Sequence, residues 1–290
     1  MTSSEPSRMS RRTFVGAVAT IGAALGAGAV TGTASAAVPV KLDRAVGIAG
    51  TGGTAHTLGR TPDGWLLVAA NGSIRPTTGL ENANLLDLTG DAAGFVAVGS
   101  TTEGGRDVPV VWESADGLTW HSTVRLSAHD GHFSAVASDG ADILVMGADL
   151  TLERAPHQRV AVLRTAAGWS SVPVTGLEYT REWAATAIAG GAGGWVLSTV
   201  DATGSMIATS ADGRVWTAGD HLADAAVRSL AFTKSGVRWV ANAMAGSGGL
   251  KGVVGADREV VPVPAEAQAL GVIGDQSYWL AEGRIVTATV

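Results

Sequence analysis

The chain has 290 residues, a formal net charge of −6 at neutral pH, no cysteine and 40 glycines. The acidic balance argues against nucleic acid or an anionic membrane as partner, and the absence of cysteine excludes a disulfide framework and thiol chemistry. Nine tryptophans and a 46% hydrophobic content argue against disorder, so the glycines read as tight turns between short apolar runs.

In chain order, the first element is Ser10-Arg11-Arg12-Thr13-Phe14-Val15-Gly16, then a soft Gly/Ala-rich apolar run and Ala34-Ser35-Ala36. A positive start, an apolar stretch and a small-x-small site define a secretory signal. The paired arginines resemble a twin-arginine export signal, which implies transient contact with the export machinery that carries folded proteins. Cleavage is expected after Ala36, leaving residues 37–290 as one domain. The run is too rich in Gly, Ala and Thr for a spanning helix, so no stable membrane insertion is expected after cleavage. The destination is extracellular or cell-wall associated.

The rest of the chain repeats. An aromatic or branched residue opens a short apolar run at Trp65, Phe95, Ile143, Trp195, Trp239 and Trp279. The steps are 30, 48, 52, 44 and 40 residues. Before most copies lies a strand of small alternating residues, as in Ser134-Ala135-Val136-Ala137 and Ala184-Ala185-Thr186-Ala187. Period-two alternation marks half-buried strands, and small side chains suit the place where strands converge on an axis. The pattern predicts an all-β, six-bladed β-propeller with almost no helix; the short first step also fits five or seven blades. Ala37–Lys41 reads as an outer strand and Arg284–Val290 as a third strand, so the two ends are expected to complete one blade together.

A sharper repeat is Ser114-Ala115-Asp116-Gly117-Leu118-Thr119-Trp120, which returns as Ser210-Ala211-Asp212-Gly213-Arg214-Val215-Trp216. Thr165–Trp169 and Gly255–Arg258 read as eroded copies. In such a turn Asp accepts backbone N–H bonds and Gly supplies positive φ. The residues Ser114, Asp116, Gly117 and Trp120, with Ser210, Asp212, Gly213 and Trp216, resemble the Asp-box (BNR) repeat of sialidase-like propellers. The resemblance implies that the boxes lie between third and fourth strands, away from the ligand. Asp116 and Asp212 are then folding residues rather than catalytic ones.

The same resemblance places ligands on the opposite face, over the fourth-to-first and second-to-third strand connections. The densest of these is Glu178-Tyr179-Thr180-Arg181-Glu182-Trp183. Tyr179, Arg181, Glu182 and Trp183 combine an aromatic platform with oriented polar groups, which a sugar or peptide site uses. His132 and Arg228, at the entries to the neighbouring blades, are the expected partners. The bland alternative is a solvated charged loop with Trp183 turned inward. His129-Asp130-Gly131-His132 has a His-x-x-His spacing, but zinc needs a third protein ligand that the sequence does not supply, so a turn is the reading. No metal and no cofactor is expected.

Sialidase-like enzymes imply an arginine cluster, a Tyr nucleophile helped by Glu, and an Asp acid/base. Only Tyr179 and Tyr278 are present, and Tyr278 sits beside Trp279 in a repeat strand. The family's Phe-Arg-Ile-Pro motif has only the echo Ser73-Ile74-Arg75-Pro76. The expectation is therefore a secreted, non-catalytic binding or scaffold module for an extracellular glycan or protein. The alternative is a sialidase-like glycoside hydrolase or lyase using Tyr179, Arg181 and Glu182.

Overall fold

The computed structural model describes residues 42–51, 53–150, 158–177, 184–201, 203–233, 236–243, 252–256, 259–262, 267–273, 276–281 and 284–288. These form six antiparallel sheets, and no helix occurs among the described residues. Blade 1 holds β1 (Arg44–Thr51), β2 (Thr54–Thr61), β3 (Gly64–Ala69) and β4 (Ile74–Pro76). Blade 2 holds β5 (Asn84–Asp91), β6 (Gly94–Glu103), β7 (Arg106–Ser114) and β8 (His121–Arg125). Blade 3 holds β9 (Gly131–Ser138), β10 (Ile143–Asp149), β11 (Gln158–Thr165) and β12 (Gly168–Ser171). Blade 4 holds β13 (Ala184–Gly191), β14 (Gly194–Asp201), β15 (Gly204–Ser210) and β16 (Thr217–Ala223). Blade 5 holds β17 (Ala225–Thr233), β18 (Gly236–Ala243), β19 (Gly252–Ala256) and β20 (Glu259–Pro262). Blade 6 holds β21 (Ala267–Ile273), β22 (Gln276–Ala281) and β23 (Arg284–Ala288).

Strands pair in sequence order within every blade, so each sheet is a simple meander. The first strands of successive blades neighbour one another, and β1 adjoins β21. The chain is a closed six-bladed β-propeller. At the closing junction a Cβ built on Gly50 would lie 2.5 Å from Ile273 Cγ1, and one on Gly271 would lie 2.6 Å from Ile48 Cγ2. The two inner strands pack this tightly because glycine leaves room for the opposing isoleucine. Arg284–Ala288 is a third strand, as the alternation predicts. The suggested pairing partner, residues 37–41, lies outside the described residues, as does the signal segment.

One repeat assignment needs correcting. The Phe95, Ile143, Trp195, Trp239 and Trp279 runs are second strands, but the Trp65 run is the third strand of blade 1. The second strand there is Thr54–Thr61, whose start precedes Gly94 by 40 residues. The short step of 30 therefore arose from comparing unlike strands. The run Thr-Ala-His-Thr-Leu-Gly-Arg-Thr has no Phe, Tyr or Trp to signal its place.

The two Ser-x-Asp-Gly-x-x-Trp turns join β7 to β8 and β15 to β16, third to fourth strand. In the first, Asp116 Oδ1 accepts bonds from the N–H groups of Leu118 (2.8 Å) and Thr119 (2.9 Å) and from Ser114 Oγ (3.0 Å). Ser114 Oγ accepts from Gly117 N–H at 2.9 Å, and Trp120 Nε1 donates to Gly117 O at 2.9 Å. The second turn repeats the pattern, with Asp212 Oδ1 accepting from Arg214 and Val215 and Trp216 Nε1 donating to Gly213 O. Gly117 and Gly213 have φ of 72° and 73°, a region that glycine enters without strain.

These turns also join blades. Thr78, just past β4, donates its N–H to Leu118 O (2.8 Å) and accepts from Trp120 N–H (3.0 Å). Thr175, just past β12, does the same with Arg214 O and Trp216 N–H, both at 2.9 Å. Each turn is thus clasped to the end of the preceding blade by a short parallel bridge. The clasping segments are themselves repeats, Pro76-Thr77-Thr78-Gly79-Leu80-Glu81 and Pro173-Val174-Thr175-Gly176-Leu177-Glu178, a signal the sequence reading passed over. Leu80 and Leu177 are buried behind the clasps. Blades 2 and 3 are joined differently: Arg164 of β11 bonds Glu113 at 2.6 Å and also pairs with Asp91, while its guanidinium lies 5.9 Å over the Trp169 ring.

The clasp makes two predictions. A Cβ on Gly79, at φ 86°, would sit 2.1 Å from Trp120 O, so Gly79→Ala should cost about 1–3 kcal/mol in denaturant unfolding. Asp116→Ala should cost about 1 kcal/mol, because it strands two N–H donors at a mostly solvated turn. The N–H groups of Thr119 and then Leu118 hold the Asp116 carboxyl below its ordinary pKa of 3.8. Its contribution is present above that value and is lost as pH falls through the lowered folded one, so the difference from wild type should shrink in acid.

Candidate ligand-binding site

Six first strands around one axis enclose a central channel of about 240 Å³. Small residues dominate the wall because larger side chains on six converging strands would collide. Its hydroxyls come from Thr89, Ser134, Ser138, Thr186 and Ser229. Among the described lining residues, Asp87 and Arg228 are the two that carry charge.

A shared irregularity governs what faces this channel. Every first strand departs from its ladder with the second strand at an equivalent point. The unpaired residues are Gly47 and Ile48, Leu86, Ser134, Thr186, Arg228 and Gln268. A bulge leaves one residue outside the ladder and re-aims its side chain. In blades 1 to 5 these residues line the channel. The residues just after the bulges are Ala49, Asp87, Ala135, Ala187, Ser229 and Ala269, so Asp87 stands where the other blades carry Ala or Ser.

Asp87 is held from two sides. Its Oδ1 accepts from Leu88 N–H at 2.8 Å, and its Oδ2 accepts from Val136 N–H of the next blade at 2.9 Å. It keeps some surface toward the channel but lies deep in the ring. Burial raises its carboxyl pKa from 3.8 to about 7, against the opposing pull of the Val136 and Leu88 N–H groups. A neutral acid among neutral hydroxyls is a hydrogen-bonding wall; ionised, it is a fixed negative charge on the axis.

Of the residues singled out from sequence, Arg228 is the bulge residue of β17, exposed, and part of the channel wall. The connection ahead of it is a tight turn: Asp220 and His221 belong to β16, Arg228 belongs to β17, and Asp224 alone joins the two strands. His132 is the second residue of β9 and does not belong to the channel wall. Burial lowers its pKa, against a weaker opposing pull from Asp107. Tyr179, Arg181, Glu182 and Trp183 lie outside the described residues. Tyr278 is buried in β22. Around the His-x-x-His segment, His129 Nδ1 contacts Asp149 Oδ2 at 2.5 Å, and Asp130 Oδ1 accepts from Asp107 N–H at 3.1 Å. No cluster of three metal-ligating side chains occurs among the described residues. Sequence reasoning missed Asp87. Its signal was a lone carboxylate in the apolar run Leu85-Leu86-Asp87-Leu88.

The geometry is that of a narrow axial well, smaller than the roughly 300 Å³ at which ordinary small-molecule pockets begin.

Comparison with known proteins supports the fold. No family model matches the chain, and no curated protein matches it. Among solved structures, a candidate gluconolactonase superposes with a TM-score of 0.51 at 10% identity, over 81% of this chain and 83% of that one. A candidate glycosidase from Bacteroides thetaiotaomicron gives 0.42 at 12% identity, over 67% and 82%. The β-propeller domain of the Trilobed protease from Pyrococcus furiosus gives 0.42 at 9% identity, over 82% and 91%. At such identities the likeness is one of fold alone.

Asp87 supplies a pH test. An acid whose pKa is raised on folding stabilises the protein most below its ordinary value of 3.8, and that contribution is lost as pH rises toward about 7. Asn at this position does not titrate. The stability of wild type relative to Asp87→Asn should fall by more than about 1 kcal/mol between about pH 4 and about pH 7 and level off above. A pH-independent difference would show that the carboxyl is not perturbed.

Proposed function

We propose that this chain is an exported Asp-box propeller that binds an extracellular glycan or protein without converting it, through the face of the fourth-to-first strand connections. The observation that supports binding over catalysis is the chemistry of the channel wall. Among its described residues Asp87 is the one carboxylate, and both its oxygens accept backbone N–H bonds. Glycoside hydrolysis ordinarily uses two carboxyl groups flanking the scissile bond. The wall otherwise offers the Arg228 guanidinium, hydroxyls and apolar side chains, which suit orientation of a ligand better than proton transfer.

The Asp-box assignment rests on the Ser114–Trp120 and Ser210–Trp216 turns, in each of which the Asp Oδ1 accepts three local bonds. Export rests on Arg11-Arg12 and on Ala34-Ser35-Ala36. The only partner this requires is the export machinery, met in transit. The residues proposed from sequence to contact the ligand are Tyr179, Arg181, Glu182 and Trp183, with His132 and Arg228 as their expected partners.

A glycan array, run together with a turnover assay on sialosides and other glycosides, tests this reading. Wild type should retain ligand without turnover, and Arg181→Ala should weaken binding about tenfold or more while leaving the melting temperature unchanged. Turnover that disappears in Tyr179→Phe would replace the binding reading with the sialidase-like one. For export, the secreted protein should begin at Ala37 by intact mass. Undiminished secretion of the Arg11→Lys/Arg12→Lys variant would remove the twin-arginine assignment.

A further inference from the structure

Three channel residues at or next to the bulges share one level of the ring. Asp87 is the fourth residue of β5, Ser134 the fourth of β9 and Thr186 the third of β13. They belong to three successive blades, so they occupy one half of the wall. Their hydrogen bonds decide what they show the channel. Ser134 Oγ donates to Ala185 O of the next blade at 2.8 Å, and Thr186 Oγ1 donates to Ser198 O at 3.2 Å. A hydroxyl has one proton and two lone pairs. With the proton committed to a backbone carbonyl, each of these hydroxyls offers lone pairs only. The Asp87 carboxylate has more acceptor sites than the two that Leu88 and Val136 N–H occupy. The half-wall is thus a set of acceptors. Each is tied to backbone, and the bonds of Asp87 and Ser134 cross blade junctions, so the set is held in place before any ligand arrives.

The rest of the wall differs. The corresponding places hold Gly47 and Ile48 in blade 1, Arg228 in blade 5 and Ala269 in blade 6. Ile48 and the bulge residue Leu86 give the channel an aliphatic side. Three acceptors, one of them charged, complement an ammonium group, which has three donors and no acceptor. A hard metal ion fits this set less well, since calcium takes about six to eight oxygens and draws on several carboxylates or carbonyls. The aliphatic side suits a methylene stem, whereas a hydroxylated sugar ring gains little from it.

We propose that Asp87, Ser134 and Thr186 form an axial binding site for the ammonium group of an unbranched alkylamine, with its stem along Ile48 and Leu86. The same chemistry is presented by a free amine and by the lysine side chain of a protein, and the probes separate these two sources. The site lies inside the ring and does not depend on the mouth loops binding a glycan. Arg228 stands on the far side of the ring as a like charge, so it opposes the ligand.

The experiment is isothermal titration of the full chain at low ionic strength and about pH 8.5. Asp87 is there above its pKa of about 7, and an alkylammonium is below its own of roughly 10. The probes are butylammonium chloride, butyltrimethylammonium chloride, Nα-acetyl-lysine amide and calcium chloride. Wild type should bind butylammonium saturably and the trimethylated analogue, which keeps the charge and loses the donors, at least about tenfold more weakly. Asp87→Asn should weaken butylammonium binding about tenfold or more, and Thr186→Val, which keeps the shape and loses the acceptor, about fivefold or more. Arg228→Gln should strengthen it about twofold or more, because a repelling charge is gone. If Asp87→Asn does not fold, the Thr186 and Arg228 variants and the methylated probe still decide. Binding of acetyl-lysine amide as well as butylammonium assigns the site to a lysine side chain; binding of butylammonium alone assigns it to a free amine. The proposal is overturned by no saturable amine binding, by equal binding of the trimethylated probe, by affinity unchanged in Thr186→Val, or by calcium displacing the amine at equal or lower concentration. If the glycan array is blank while butylammonium still binds, the glycan reading falls and this site stands.

Discussion

A single blade of this protein cannot bury itself. Each is a thin, twisted sheet of short strands, and its apolar side chains are covered only when the next blade lies against it. The buried clusters follow that rule. One joins blades 1 and 2 through Leu58, Trp65, Leu67, Leu80, Phe95, Trp112 and Trp120. Another joins blades 3 and 4 through Leu144, Met146, Leu177, Trp195, Leu197 and Trp216. Blades 2 and 3 share Val98, Phe133, Val145 and Val162, and blades 4 and 5 share Val196, Val227 and Leu230. Stability thus resides in the junctions, and the ring exists because every blade needs two neighbours.

The junctions are fastened in two ways. Between blades 1 and 2, and again between 3 and 4, a carboxylate-organised turn presents its backbone to the threonine that leaves the previous blade. The hydrogen bonds of the Asp116 and Asp212 side chains stay within their own turns. The carboxylate fixes the turn, and the turn offers the peptide groups. Between blades 2 and 3 an arginine takes the role, bridging Asp91 and Glu113. The alternation of clasp, ion bridge and clasp makes blades 1–2 and 3–4 look like two editions of one unit, a kinship also printed in the Thr-Gly-Leu-Glu segments.

Much of this was legible in the sequence. Alternating small residues and glycine-opened apolar runs led to a propeller, and the resemblance carried by the Ser-x-Asp-Gly-x-x-Trp pairs implied that those turns lie between third and fourth strands. The offset of Trp65 was not legible, because a tryptophan opens a second strand in blade 4 and a third strand in blade 1; tertiary packing, not local pattern, decides which. Asp87 was passed over for a related reason. In sequence it is one charge in a strand, and only the ring aligns it with Ala49, Ala135, Ala187, Ser229 and Ala269. Arg228 was found at the entry to its blade, though not as a bulge residue, since a bulge leaves no local signature in composition.

The bulges have a consequence for how such a molecule changes over time. A residue in a regular ladder is tied to its partner strand, and its replacement disturbs a cross-strand pair. The bulged positions owe the ladder nothing. Leu86, Ser134, Thr186 and Arg228 already span aliphatic, hydroxyl and cationic chemistry at geometrically equivalent places. The inner wall therefore works as a set of interchangeable sockets on a fixed frame. A lineage can rewrite the polarity of the axis one socket at a time while the hydrogen-bonded framework and the blade junctions stay as they are.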